Sequence, residues 1–369
     1  MFISIMSACC SWAGHIYVSV DGNDANNGTS TRPVKSVHQA LRIAREWRRQ
    51  AMNGDAEAIK NIAGGIAIHI GAGRYYMTEP LFLRPEDSGT AESPTLICGS
   101  GKGETIFYGD PRQKHTTVFP ATGMERMIDF DTNMRTVTIP KVAVEGLLNS
   151  AEYKKYLSQP EKADRQLEMV VHQRWAIAIL RVKDIQVNDN RAVVSFMEPE
   201  SRLEFEHPWP QPVIGGEKGN SSFLLRWTER REGIERLLIV EGYEQNPVKH
   251  VTIRNICFEN TCWNRPQRYG HVTLQGGFPL IDAYKLKEKE GMPWDNGLEN
   301  QAWVERPVSA VSVNWAEHVM ITECQFLHLG ATALDFGIGI SYCEAYRNLF
   351  HDIGGTAILA GSFAESPRE

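Results

Sequence analysis

Nowhere in the 369 residues is there an apolar run long enough to cross a bilayer as a helix, so no transmembrane segment is expected. Basic charge is also scarce: 39 Lys and Arg stand against 45 Asp and Glu, for a net charge of −6. A broad nucleic-acid-binding surface is therefore not expected, although a local basic groove stays open. Seven cysteines are too few and too scattered for a disulfide framework. Cys257 and Cys262 have no second ligand pair at zinc spacing, so neither a metal nor a cofactor is expected. Lysine is absent after Lys289, which removes one usual base of a calcium-assisted lyase from the C-terminal part. The glycine-rich stretches "GAG", "GSGKGE" and "GIGIS" do not open a helix after a strand, which argues against a nucleotide phosphate site.

What the sequence does contain is a repeat. Gly330-Ala331-Thr332-Ala333-Leu334-Asp335 is nearly rewritten 24 residues later as Gly354-Gly355-Thr356-Ala357-Ile358-Leu359, and Phe326 answers Phe350 at the same step. Phe258 precedes Phe326 by 68 residues, close to three such steps. Short segments rich in β-branched residues and punctuated by Gly and Asn predict strands. Strands that return at this period predict an all-β, parallel β-helix, in which each coil buries its apolar face on its neighbour. A leucine-rich horseshoe is disfavoured, because no regular Leu-x-x-Leu-x-Leu pattern occurs.

Four segments follow from this pattern. Residues 1–14, "MFISIMSACCSWAG", are small and apolar but lack a preceding basic residue. They are expected to be the remnant of an export or lipoprotein signal, with Cys9 as a possible lipid anchor and a disordered N-terminus as the alternative. Residues 15–109 hold a strand, then a helix with Ser36 as N-cap and Val37, Leu41 and Ala44 on its apolar face, then first rungs. This helix is expected to cover the open first edge of the solenoid. Over 110–246 the period disappears, and "VTIPKVAV", "MVVHQRWAIAILRV", "IQVNDNRAVVSF" and "SSFLLRW" predict antiparallel strands of an inserted β-rich module, with "TERREGIERL" on its surface. Rungs resume over 247–369 and are expected to be incomplete at the C-terminus.

The stretch "YVSVDGNDANNGTSTRPVKSVHQAL" resembles the opening segment of many secreted right-handed β-helix enzymes that act on polysaccharides. More narrowly, "GAGRYYMTEPLFLRPEDSGTAESP", "EFEHPWPQP", "PVKHVTIRNICFENTCWNRP", "LENQAWVERP" and "HLGATALDFG" resemble β-helix proteins related to glycoside hydrolase family 141. The likeness covers most of the chain and implies a right-handed parallel β-helix with an N-terminal capping helix and an inserted β-rich module. It also implies a secreted, periplasmic or outer-surface location, a polysaccharide or oligosaccharide substrate, and a monomer. Two departures stand out: "TERREGIERLLIV" replaces a longer aromatic segment, and relatives continue for several rungs beyond the position of Glu369.

Glycosidic cleavage needs a protonated carboxyl and an ionised one. Asp335 stands where Leu359 stands one period later, an acid at an apolar position. His328 answers Asp352, which predicts an imidazole and a carboxylate one strand spacing apart. Asp335, Asp352 and His328 are accordingly the catalytic candidates; Asp352, just before Gly354-Gly355, equally suits a turn. In the inserted module, His172, Arg174 and Trp175 of "HQRW" combine an imidazole, a cation and an aromatic face suited to sugars, or else serve packing. Trp263, Trp294 and Trp303 lie in or beside loops where a solenoid carries binding residues, and Glu299 is a further candidate carboxylate. The first expectation is a glycoside hydrolase of a complex plant or host polysaccharide. A polysaccharide lyase and a non-catalytic or inactive truncated glycan-binding protein are the alternatives.

Overall fold

The computed structural model describes residues 14–101, 103–109, 116–118, 125–126, 129–159, 164–172, 176–206, 222–230, 232–273, 277–280, 287–289, 292–297 and 305–361. The chain is mostly β and divides into two compact units. The first comprises Met1–Pro111, Gly233–Cys262 and Val308–Ser362; the second comprises Arg112–Glu232, Trp263–Pro307 and Phe363–Glu369. The boundary at 246 expected from sequence is thus displaced, because Leu238–Glu241 pairs in parallel with Leu81–Leu83 and Ser309–Asn314 inside the first unit. The stretch after Cys262 that sequence placed between rungs falls in the second unit.

In the first unit, every ladder between named strands is parallel, and the strands fall into three sheets. The chain visits these sheets in a fixed rotation. In one circuit Ala316–Thr322 joins the first sheet, Gln325–Leu329 the second and Thr332–Phe336 the third; in the next, Glu344–Tyr346, Leu349–Ile353 and Ile358–Ala360 lie beside them. The 24-residue repeat is therefore a register: Phe326 pairs with Phe350 and Asp335 with Leu359. Phe258, Phe326 and Phe350 stack with centroids 5.2 and 4.8 Å apart. Phe326 and Phe350 do so at the expected 24-residue step, but Phe258 pairs directly with Phe326, so the residues between them make one circuit rather than the three that spacing suggested. All three sheets turn their apolar sides onto one core, which includes Ile68, Ile97, Val251, Ile321, Val311 and Leu334.

The corners of the circuit recur as well. Asn255, Glu323 and Arg347 form one series of positive-φ residues, and Asn260, His328 and Asp352 form another, with φ between 53° and 58°. Asn, Asp and His tolerate this left-handed region better than most residues, because their short polar groups bond locally. The helix Val37–Met52 begins where the Ser36 hydroxyl accepts from Gln39 N at 3.1 Å, and it lays Val37, Ala40, Leu41 and Ala44 on the same core. Arg45 of this helix grips the buried Asp87 carboxylate with two bonds of 2.7 Å.

The second unit holds an antiparallel sheet in the order Thr116–Val118, Ser222–Glu229, Arg165–His172, Ile177–Asn188, Arg191–Phe196, Thr136–Pro140 and Asp129–Asp131. One face carries Leu167, Met169, Val171, Leu180, Leu225 and Trp227 into a separate apolar core. The opposite face is unusually polar for its burial: Gln166, Glu168, Arg181 and Thr228 are all at most 8% exposed. Each charge there is matched, Glu168 by Arg226 at 2.8 Å and Arg181 by the fully buried Glu200 at 2.7 Å, as burial in a low dielectric requires. The run "TERREGIERL" is exposed at Glu232 and Arg236, as sequence suggested, but Thr228 and Leu237 are buried and Glu229, Arg230 and Glu235 are half-buried.

Candidate active site

Asp335 lies on Thr332–Phe336, between Leu334 and Phe336, both of which belong to the core. Alternation along a strand turns Asp335 to the other face of the sheet. There it occupies a cross-strand row that reads Phe82, Ile239, Ser312, Asp335, Leu359. The row is apolar apart from Ser312 and Asp335. Asp335 is only 8% exposed and is not a lone charge. Its register neighbour Ser312 carries a buried hydroxyl with no hydrogen-bond partner among the described residues. A buried hydroxyl left without a partner costs free energy, typically about 1–3 kcal/mol, so its presence beside an acid points to something that bonds it in use.

Two residues further along, the next row of the same face reads Glu241, Asn314, Gly337. Glu241 pairs with Asn314 across the ladder, and the Gly337 backbone N–H donates to Val313 O. Asn314 Nδ2 donates to Glu241 Oε2 at 2.9 Å, while its Oδ1 accepts from Ile338 N at 3.1 Å. The amide thus holds the Glu241 carboxylate in one orientation. A Cβ on Gly337 would lie 2.0 Å from Asn314 Oδ1, so this position has no room for a side chain while Asn314 keeps its place. Glu241 was missed by sequence reasoning, which assigned "LLIVEG" to the inserted module. Its likeness to "AVSVNW" and "TALDFG", in which a short apolar strand is likewise followed by a polar or small residue (Asn314, Gly337), was the signal that could have found it.

His328 and Asp352 are brought together. His328 Nδ1 lies 2.8 Å from Asp352 Oδ2, and the two side chains are 47% and 69% exposed. They sit at a positive-φ corner of the second sheet, whereas Asp335 lies on the third, so Asp335 and Asp352 do not share a sheet. His172 ends the strand Arg165–His172 in the second unit and is half-buried. Trp263, also in that unit, packs edge-on against His271 with centroids 4.4 Å apart. Arg174, Trp175, Glu299 and Trp303 lie outside the described residues, as does Cys9, and the side chain of Trp294 is likewise not described. Among the described residues no group of three or more His, Cys, Asp or Glu could hold a metal ion.

Residues 112–230 match the family model of the GH141 insertion domain. A solved structure described as a glycoside hydrolase is 30% identical, with a TM-score of 0.76 over 97% of this chain and 69% of its own. Weaker likenesses run to a complex of XylC with xylose (12% identity, TM-score 0.34, 88% of this chain and 42% of that one) and to a GH136 lacto-N-biosidase from Eubacterium ramulus (10% identity, TM-score 0.26, 91% and 34%). Neither of these two carries structural weight. Comparison with curated proteins gives no match.

Proposed function

Since the chain belongs to the glycoside hydrolases, as a relative of family 141, we propose that it cleaves glycosidic bonds in a complex plant or host polysaccharide, with Asp335 and Glu241 as its carboxyl pair. The three parallel sheets visited in rotation are read here as a right-handed parallel β-helix, and the second unit as the module inserted in it. The observation that carries the assignment is the row through Asp335, where an acid and a partnerless buried hydroxyl interrupt an otherwise apolar line.

Glu241 is preferred to Asp352 as the second carboxyl because it lies on the same face of the same sheet. It is offset from Asp335 by two strands and two residues, roughly 9.6 Å across and 6.6 Å along. The straight-line offset between the two backbone positions is thus about 12 Å. Side chains leaning inward would bring the carboxyls towards the separation of about 6.5–9.5 Å usual for an inverting hydrolysis, with a water between them. One carboxyl would protonate the leaving oxygen while the other takes a proton from that water, and the Ser312 hydroxyl would bond a sugar hydroxyl. Polymeric glycans are met outside the cell, so export belongs to the same proposal.

The test is hydrolysis of a panel of plant and host polysaccharides by the full chain. New reducing ends with inverted anomeric configuration are expected, and Asp335→Asn is expected to lower turnover at least about 10²-fold, as for other lost proton-transfer groups. An unsaturated product absorbing in the ultraviolet would instead identify a lyase. Binding without turnover in the unaltered protein would identify a glycan-binding module.

A further inference from the structure

The polar face of the antiparallel sheet in the second unit opens into a cleft of about 700 Å³, within the range of small-ligand sites. Its lining includes four cations, Arg181, Lys183, Arg230 and Arg268, against two acids, Glu198 and Glu232. Arg268 Nε donates to Glu232 Oε1 at 2.7 Å and Arg181 is paired with Glu200, so by formal count the cleft and its backing carry a single positive excess, in a chain whose net charge is −6. Phe196 and Met197 supply an apolar wall, and Gln267, 7% exposed, supplies an amide.

Two features show that the cations are placed rather than scattered. The Arg181 guanidinium is 8% exposed and fixed from behind: Nε donates to Glu200 Oε1 at 2.7 Å, and Nη2 donates to Glu200 Oε2 and Glu198 O at 2.8 Å. Next, the ladder pairs Val182 with Phe196 but Asp184 with Ser195, so Lys183 is the extra residue of a β-bulge. A bulge re-aims the side chain it carries, and here it adds an exposed ammonium group to the cleft rim beside Arg181.

We infer that this cleft binds an acidic sugar residue, a pyranose bearing a carboxylate or a sulfate ester. The anion would face the guanidinium groups and Lys183, since forked N–H donors match such oxyanions. The ring's C–H face would rest on Met197, and a hydroxyl would bond Gln267. The carbohydrate class is taken from the hydrolase reading, but the site needs no turnover to be tested.

The experiment is calorimetric titration of the full chain with glucuronic acid, glucose 6-sulfate and glucose, repeated with Lys183→Glu, Arg268→Gln and Asp335→Asn. Binding of one or both acidic sugars, at least about tenfold tighter than glucose and weakened by added salt, is expected. Which of the two binds identifies carboxylate or sulfate as the recognised group. Lys183→Glu and Arg268→Gln should each weaken that binding several-fold with unchanged circular dichroism, while Asp335→Asn should leave it intact. Equal affinity for glucose, no binding of either acid, or indifference to Lys183→Glu in a folded variant would overturn the site. Loss of binding in Asp335→Asn would mean that the ligand sits at the proposed carboxyl pair instead. Conversely, absence of hydrolysis with retained acid binding would sink the hydrolase reading and leave the cleft standing.

Discussion

His328 and Asp352, one 24-residue circuit apart, meet with Nδ1 and Oδ2 at 2.8 Å while both hold φ near +53°. Two properties of the pair bear on its worth. Its side chains are about half exposed or more, and exposed ion pairs contribute typically about 0–1 kcal/mol. Its backbone conformation, by contrast, is expensive for most residues. Asp352→Gly is therefore expected to leave the urea midpoint nearly unchanged, whereas Asp352→Val should cost about 1–2 kcal/mol. Asp352→Asn should keep turnover within about tenfold of the unaltered enzyme. A loss of about 10² or more would return Asp352 to the carboxyl pair in place of Glu241.

Phe326 has one ring at 5.2 Å (Phe258) and another at 4.8 Å (Phe350), and no exposure to solvent. Truncation to Ala would leave a cavity that two rigid sheets cannot close. Phe326→Ala should cost about 3–5 kcal/mol in a denaturant melt. Phe350→Ala should cost less than that, since Phe350 is only half-buried and already shares its surface with water.

His271 and Glu204 give the second unit opposite responses to pH. Burial, aided by Arg265, pushes the His271 imidazole down to about 3, and burial pushes the Glu204 carboxyl up to about 8. The native state thus binds fewer protons than the unfolded chain at His271 between about pH 3 and 6.5, so stability falls as pH drops through that window. At Glu204 the native state binds more protons between about pH 4.5 and 8, so stability falls as pH rises there. Below about pH 4.5 only His271 acts, and above about pH 6.5 only Glu204. His271→Phe should flatten the acid limb of a melting-temperature profile, and Glu204→Gln the neutral-to-alkaline limb. A profile unchanged in both variants would contradict these protonation states.

Legibility of the chain depended on whether a feature repeats. The registers Phe326 with Phe350 and Asp335 with Leu359 could be read from spacing alone, because each circuit adds one strand to each sheet and equivalent residues must stack. The Ser36 cap and its helix were equally readable, since capping is local chemistry. Glu241 was not readable in the same way. Its strand pairs with Ser309–Asn314 some 70 residues later, across an intervening segment that shows no period, so nothing local marked it as a rung. Nor could sequence show that Arg230, in a charged run, lies along a half-buried cleft, because that depends on the bulge and strand order of the antiparallel sheet.

Gly337 separates the chemistry of Glu241 from the stability of the sheet. A Cβ there would meet Asn314 Oδ1 at 2.0 Å, and the atom struck is the end of a side chain that can swing away. Relief is therefore cheap for the fold, and Gly337→Ala should cost no more than about 1–2 kcal/mol, made up of a lost bond to Ile338 N and some repacking. For the proposed site the same movement is expensive, because it withdraws Nδ2 from Glu241 Oε2 and leaves the carboxylate free to turn. If Glu241 is the second working carboxyl, Gly337→Ala should lower kcat about 10-fold or more with KM little changed, since positioning errors near 1 Å can cost that much or more. Asn314→Ala should reproduce the loss, and Glu241→Gln should exceed both at about 10² or more. Full activity in Glu241→Gln would remove Glu241 from the site, and the close fit of Gly337 against Asn314 would then be a matter of packing alone.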